Sequence, residues 1–442
     1  MSRKLSHIAM ISVHSSPLGK LGTQDTGGMS VYIRDLSRQL GLHGYAVDIY
    51  TRAGEDHVPG KALRISENVR LIPLELGPAA DAPKTALYPH LLDFFHTADR
   101  FRLQEGIAYD LIHSHYWLSG QVGRWARLAW DAPHITTFHT LGAVKNLVCR
   151  PESEPELRIA AERGLVTACD RVLVTSDRER ENLIRYYDAE AARIAVAPCG
   201  VNLDMFHPMG RDSARQRIGA DPDQKLLLYV GRFAPEKGLD RLLQAVARLA
   251  HIQKLRLIVV GGDGEQDAAY RRMLELSRSC GIAHRVTFTG RIGQADLPPY
   301  YCAADLLVLP SSYESFGMVA LEALACGTPV VATRVGAMED LLREAGNGRL
   351  VPDLRPSSLT EAMESLLRNP AAPEQVAETI RGSVARYNWP RVAADVLAVY
   401  HGSLAAAADV IGGSVAGAPP PAGPAAGRGC GALMPAWAGD AR

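Results

Sequence analysis

Several common signals are missing from this sequence. No apolar run approaches the roughly 18 residues that cross a bilayer. Neither sign of charge dominates, with 48 Lys and Arg against 48 Asp and Glu. Neither an anionic membrane nor nucleic acid is therefore indicated as the main partner. The 7 cysteines in 442 residues are scattered, at Cys149, Cys169, Cys199, Cys280, Cys302, Cys326 and Cys430, with no C-x-x-C pair. That spacing offers neither a zinc site nor a disulfide framework and fits reduced thiols in a cytoplasm. The basic start, MSRKLSHIAMISV, has no A-x-A cleavage site after it and reads as a first strand rather than a signal peptide. The usual phosphate-binding spellings are missing as well. Gly22 and Gly27, in GTQDTGGMSVYIRDLSRQL, have P-loop spacing, but Gly28 and Met29 stand where Lys and Ser/Thr are needed. The dinucleotide fingerprint is absent there. VVGGDGEQD (259–267) begins it and then puts Asp267 at the last glycine, which argues against an oxidoreductase. No D-x-D at a strand end offers a metal–diphosphate clamp.

What is present is a βα rhythm that runs twice. Short apolar runs rich in β-branched residues (IAMISV, AVDIY, VRLIPL, DLIHSH, HITTFH, RVLVTS, IAVAP) alternate with helical-period segments such as Met29–His43 and Ala160–Ala168. The pattern breaks near Cys199–Gly219 and restarts with KLLLYVGR, LRLIVVGG, RVTFTG, DLLVLPSS and PVVATRVG. Continuous apolar strands between helices indicate parallel sheets covered on both faces, and two series imply an α/β protein of two doubly wound domains flanking a cleft. The expected organisation is 1–205 for the first domain and 206–385 for the second. A helix over 386–405 follows, carrying Trp389, Val392, Val396 and Tyr400 on about one face and docking on a domain surface. An Ala/Gly/Pro-rich tail over 406–442 is expected to be disordered.

Ligands of such sheets sit at the carboxyl ends of strands. YVGRFAPEKG (229–238) places Arg232 and Lys237 in one loop entering a helix, a good setting for a diphosphate. On its own it could equally be a basic turn with two solvated side chains. PSSYESFGMVALEALACGTPV (310–330) adds Glu314 and Glu322, eight apart, with Ser315, Phe316 and Gly317 at the helix start. A capping box of Ser311 or Ser312 with Glu314 would explain one of those acids but not the set.

G-R-x-x-x-x-K-G followed about eighty residues later by Glu-x7-Glu resembles the retaining glycosyltransferases of the two-Rossmann (GT-B) type, family 4. The likeness covers roughly residues 6–405, with its motifs in the same order. It implies a nucleotide-sugar donor on the second domain and an acceptor on the first. By that resemblance Arg232 and Lys237 bind the diphosphate, Glu314 and the N–H groups of Phe316 and Gly317 hold the sugar, and Glu322 takes the ribose. The loop at Gly290, Arg291 and Ile292 meets the base. The first glycine loop then has a purpose: Gly27 and Gly28 arch over the cleft and give N–H groups to a diphosphate whose charge is met by the other domain.

Within the family, AMISVHSSPLGKLGTQDTGGMSVY, YDLIHSHYWLSGQVG and FHTLGAVKN are most similar to the mycothiol-pathway branch, which moves N-acetylglucosamine from UDP-GlcNAc to inositol 3-phosphate. The resemblance implies an acceptor phosphate on Lys84, Tyr116, Thr140 and Arg158. It places His14, Asp25 and Thr26 on the acceptor side, and His139 against the donor sugar. Taken singly, Lys84 reads as a solvated loop lysine, Tyr116 as a core aromatic and Arg158 as an exposed helix residue. Two cations with two hydroxyls favour a phosphate. The branch has Asn where this chain has Ser30, so exchange of Ser30 for Asn is expected to alter acceptor choice. Other acceptors of the same fold, a hexose phosphate or a glycan precursor, stay open, as does a non-catalytic sugar-binding module. The four residues Arg232, Lys237, Glu314 and Glu322 argue against the last.

The chemistry expected is same-face substitution through an oxocarbenium-like transition state, with the leaving diphosphate stabilised by Arg232 and Lys237. No cofactor is required for it. Some relatives hold magnesium through backbone carbonyls, which here would be those of Tyr301, Cys302, Ala304 and Thr328. The sequence leaves a homodimer open.

Overall fold

A computed structural model describes residues 4–19, 26–54, 57–77, 83–148, 154–344, 346–368 and 373–413. The first βα series forms an eight-stranded sheet. Its strands are β1 (His7–Ser12), β2 (Ala46–Arg52), β3 (Leu63–Ser66), β4 (Val69–Leu74), β5 (Leu111–His115), β6 (His134–Thr137), β7 (Arg171–Val174) and β8 (Ile194–Val196), in the order β3-β4-β2-β1-β5-β6-β7-β8. All neighbours are parallel except β3 with β4. The second series forms a six-stranded parallel sheet: β9 (Lys225–Val230), β10 (Leu255–Val260), β11 (Val286–Gly290), β12 (Leu306–Leu309), β13 (Val330–Thr333) and β14 (Gly348–Val351), ordered β11-β10-β9-β12-β13-β14. Central strands such as LIHSH and LLVL are buried along their whole length, because helices cover both faces.

Each sheet has one point where strand order reverses, between β1 and β5 and between β9 and β12. Adjacent crossovers leave toward opposite faces there, so a crevice opens outside the carboxyl ends. The two crevices face each other. Helix Gly28–Leu42 of the first series reaches the second at the point where a Cβ on Gly28 would lie 3.3 Å from Met318 Sδ. Arg34 Nη2 donates to Gln294 Oε1 at 2.8 Å, and the Leu141 N–H donates to Tyr313 Oη at 2.9 Å.

The expected helices are found at Gly28–Leu42 and, starting earlier than the sequence suggested, at Glu156–Ala168. The final helix spans Trp389–Gly413. It continues past the expected end at 405 through AAAAD, where alanine, the best intrinsic helix former, keeps the backbone helical without an apolar face. Residues 414–442 of the proposed tail lie outside the described residues. The surface on which this helix docks is that of the first domain. Trp389 packs edge-on to Tyr32 with ring centroids 5.7 Å apart, and the Tyr400 hydroxyl hydrogen-bonds His113 Nδ1 at 2.7 Å. Gly200 makes room for it, since a Cβ there would come within 2.4 Å of the Trp389 ring.

Candidate active site

A cleft of about 840 Å³ runs between the two crevices. On the second-domain side, Arg232 follows β9 and Lys237 closes the turn Pro235–Lys237 ahead of helix Leu239–Ala247. The Tyr229 hydroxyl donates to the Arg232 carbonyl at 2.8 Å and fixes the loop from beneath. Lys237 Nζ donates to Glu314 Oε1 at 2.7 Å, and the Ser311 hydroxyl donates to the same oxygen at 2.8 Å. Ser311 is thus a partner of Glu314 and not a helix cap. Gly317, at φ +102°, begins helix Met318–Ala325, and a Cβ there would strike Met338 Cε at 2.5 Å. Only glycine fits both the dihedral and the space. Phe316 turns its ring inward against Tyr387, so only its backbone is left to meet a ligand.

Glu322 is buried. One oxygen accepts from Gln294 Nε2 at 2.9 Å and the other from the Tyr301 hydroxyl at 2.7 Å. Burial raises its pKa to about 7 against the opposing pull of those two hydrogen bonds. Arg291 lines the cleft and pairs with Asp263.

On the first-domain side, helix Gly28–Leu42 starts at Gly27 with no side-chain cap among the described residues, and a Cβ on Gly27 would meet none of their atoms within 4 Å. Its first-turn N–H groups are therefore accessible to an anion at the positive end of a 15-residue helix dipole. Tyr116 and His139, just after β5 and β6, adopt φ +78° and +59°. Such left-handed conformations cost roughly 1–3 kcal/mol each in non-glycine residues and cluster where function holds them. His139 Nε2 is 3.0 Å from His115 Nδ1, and burial lowers the His139 pKa to about 3, so the ring is neutral. His14, tilted against Tyr116 with centroids 4.4 Å apart, buries Nδ1 without a hydrogen-bond partner among the described residues. A buried unpartnered nitrogen on a cleft wall is a group that a ligand hydroxyl would satisfy.

Arg158 is not the exposed helix residue that its context suggested, because its side chain is only 2% exposed. Nε donates to Glu162 at 2.7 Å, Nη1 lies 2.8 Å from Glu154, and Nη2 donates to both the carbonyl and the hydroxyl of Thr140. Its guanidinium lies 4.8 Å from the Tyr116 ring centroid, and Lys84 Nζ is 5.7 Å from the same centroid.

The cleft thus brings together His14, Thr26, Gly27, Gly28, Lys84, Tyr116, His139, Thr140, Arg158, Arg232, Lys237, Arg291, Glu314, Phe316, Gly317 and Glu322. Asp25 lies outside the described residues. Ser30 does not line the cleft: it is fully buried, and its hydroxyl shares a 2.6 Å hydrogen bond with Ser15. Ser30 sits on the helix face that packs against its own domain, so this hydroxyl is satisfied internally. Sequence reasoning missed Gln294 and the Tyr301 hydroxyl on Glu322, Glu162 beneath Arg158, and the pair Lys145–Glu154 on the cleft wall. An acid four residues after Arg158 was the available signal for Glu162. The carbonyl of Tyr301, one of the proposed magnesium ligands, already accepts from the Thr328 hydroxyl at 2.6 Å and from the Ala304 N–H at 3.2 Å, so this member of the set fits a cation poorly. Among the described residues no group of three His, Cys, Asp or Glu could hold a metal ion, and no helix is long and apolar enough to cross a membrane.

Comparison with known proteins agrees with this geometry. Residues 27–200 match the family described as Glycosyl transferase 4-like domain, and residues 210–382 match Glycosyl transferases group 1. D-inositol 3-phosphate glycosyltransferase 2 of Catenulispora acidiphila is 40% identical over 90% of this chain and 95% of its own length. The D-inositol 3-phosphate glycosyltransferase of Xylanimonas cellulosilytica is 38% identical over 89% and 96%. Among solved structures, a sucrose-phosphate synthase from Thermosynechococcus elongatus aligns with a TM-score of 0.84 at 35% identity, over 91% of this chain and all of that one. The family matches reach both sheets and the cleft between them, and the chain belongs to the GT-B, family 4 glycosyltransferases and is a hexosyltransferase.

Proposed function

We propose that this enzyme moves a sugar, N-acetylglucosamine from UDP-GlcNAc, with retention of configuration, to a phosphorylated polyol such as inositol 3-phosphate. The observation that carries this reading is the Arg158–Tyr116–Thr140–Lys84 cradle, which sits across the cleft from Arg232 and Lys237. One wall thus suits a diphosphate and the other a monophosphate, and the relatives at 38–40% identity carry inositol 3-phosphate in their names. Arg232, Lys237 and the first-turn N–H groups after Gly27 stabilise the departing diphosphate. That electrostatic stabilisation is the largest contribution we assign, on the order of 10²–10³ in kcat per donor removed. The diphosphate oxygen takes the acceptor hydroxyl's proton as the new bond forms on the same face. Neutral His139 holds the sugar by hydrogen bonding and does not serve as a general acid, since a ring with a pKa of about 3 is not an imidazolium at neutral pH.

A second reading keeps the cradle and changes the acceptor to a hexose phosphate. The 35% identity to a sucrose-phosphate synthase favours it. UDP release with UDP-GlcNAc and a panel of inositol 3-phosphate, free inositol, fructose 6-phosphate and glucose 6-phosphate decides between them. Release that requires inositol 3-phosphate supports the first reading, and release with a hexose phosphate alone replaces it with the second.

A further inference from the structure

Arg158 has two carboxylate partners of different character. Glu162 is fully buried and accepts from Arg158 Nε, from the Gly142 N–H at 2.9 Å and from the Tyr187 hydroxyl. It is a permanent counter-ion. Glu154 is at the cleft wall with its side chain 18% exposed, and its carboxylate bridges Lys145 Nζ and Arg158 Nη1. Burial opposes ionisation of Glu154, but the two cations outweigh it and hold its pKa below the usual range. Its main chain is pinned separately: its N–H donates to Asn146 Oδ1, and its carbonyl accepts from Asn146 Nδ2 at 3.0 Å. The carboxylate can therefore swing about the side-chain bonds while the backbone stays put.

The edge of the guanidinium that Glu154 occupies is the one left over once Glu162 and Thr140 have taken the rest. Withdrawal of Glu154 removes one negative charge from beside Lys145 and Arg158, which suits a phosphate monoester carrying about −1.5 to −2 near neutral pH.

We propose that Glu154 is an internal stand-in for the acceptor phosphate: a phosphorylated acceptor binds by displacing its carboxylate, and the Lys145 ammonium released by that exchange becomes a phosphate ligand beside Arg158 and Lys84. The inference rests on the phosphorylated-acceptor reading above. It makes Glu154 a selectivity residue, because an uncharged polyol cannot replace a carboxylate held by two cations, whereas a dianion can.

The test is steady-state kinetics of Glu154→Gln and Lys145→Ala with UDP-GlcNAc and inositol 3-phosphate, and with inorganic phosphate as a competitive probe. With the competing charge gone, Glu154→Gln is expected to lower the acceptor KM about five-fold, the order expected for one partly buried charge. Inorganic phosphate should inhibit it at correspondingly lower concentration, with the donor KM unchanged. Lys145→Ala should raise the acceptor KM and weaken phosphate inhibition. If Glu154 merely orients Arg158 and Lys145, Glu154→Gln will raise the acceptor KM instead, and that result overturns the proposal. Should Glu154→Gln fold poorly, Glu154→Asp, whose shorter arm cannot span both cations, is expected to shift KM in the same downward direction. A wild-type enzyme that uses free inositol as well as its phosphate overturns the phosphorylated-acceptor reading itself, and this inference with it. A wild type that requires the phosphate while Glu154→Gln binds it no better overturns only the role of Glu154.

Discussion

At the scale of single residues, burial sets the charge of Glu322. With a pKa of about 7, the carboxyl is split between its two forms at neutral pH. The ionised form accepts more strongly from ligand hydroxyls while keeping its bonds from Tyr301 and Gln294, whereas the added proton takes up acceptor capacity and removes the charge. The sign follows: as pH falls through 7 the group gains a proton, and donor affinity falls with it. We expect the donor KM to rise between pH 8 and pH 6 and Glu322→Gln to show a high, pH-independent KM; a wild-type KM flat over that range would remove the ribose role. Residues that bear charge in ordered motifs, such as Arg232, Lys237, Glu314 and Glu322, were legible in the sequence. What their neighbours do was not. Glu314 was read as a sugar ligand, and its direct pairing with Lys237 depends on two strand ends, β9 and β12, lying side by side. Ser30 shows the opposite error: the helix was predicted, but a one-residue difference in facing decides between cleft and core.

At the scale of elements, the strongly apolar strands and amphipathic helices announced themselves. Two strands did not. β3 is a four-residue antiparallel edge piece, and β14 reads GRLV with half-exposed side chains, so neither shows a clean period. The final helix was visible as a helix, but its partner was not, because periodicity shows a buried face and never the surface that covers it. Its anchor is Trp389, 4% exposed, seated over Gly200 and against Tyr32. Trp389→Ala should cost about 3–5 kcal/mol in urea unfolding. A loss under about 1 kcal/mol would mean that the ring is not what holds the helix down.

At the scale of the whole molecule, pH acts on a group of buried histidines. Burial lowers the pKa of His14, His113, His115, His134 and His139, the last two to about 3. Unfolded chains take up those protons near pH 6.5 and the native state does not, so stability is complete above 6.5 and is lost as pH falls below it. Glu179 and Glu322, both raised to about 7 by burial, act in the opposite sense. Five groups outweigh two, and the urea midpoint is expected to fall steadily from pH 7 to pH 5. A midpoint that rises over this interval would show that the histidines are hydrated or paired with acids in solution.

The return of residues 389–413 to the first domain also sets a timetable. Tyr32, His113 and Gly200 form the seat for a helix that begins almost two hundred residues after the last of them. While the ribosome is still making the second domain, the first is already long enough to fold but has an uncovered apolar groove and a His113 Nδ1 that lacks its Tyr400 partner. Nascent chains stalled before residue 389 should therefore be the most dependent on chaperones, and synthesis of the last helix should end that dependence.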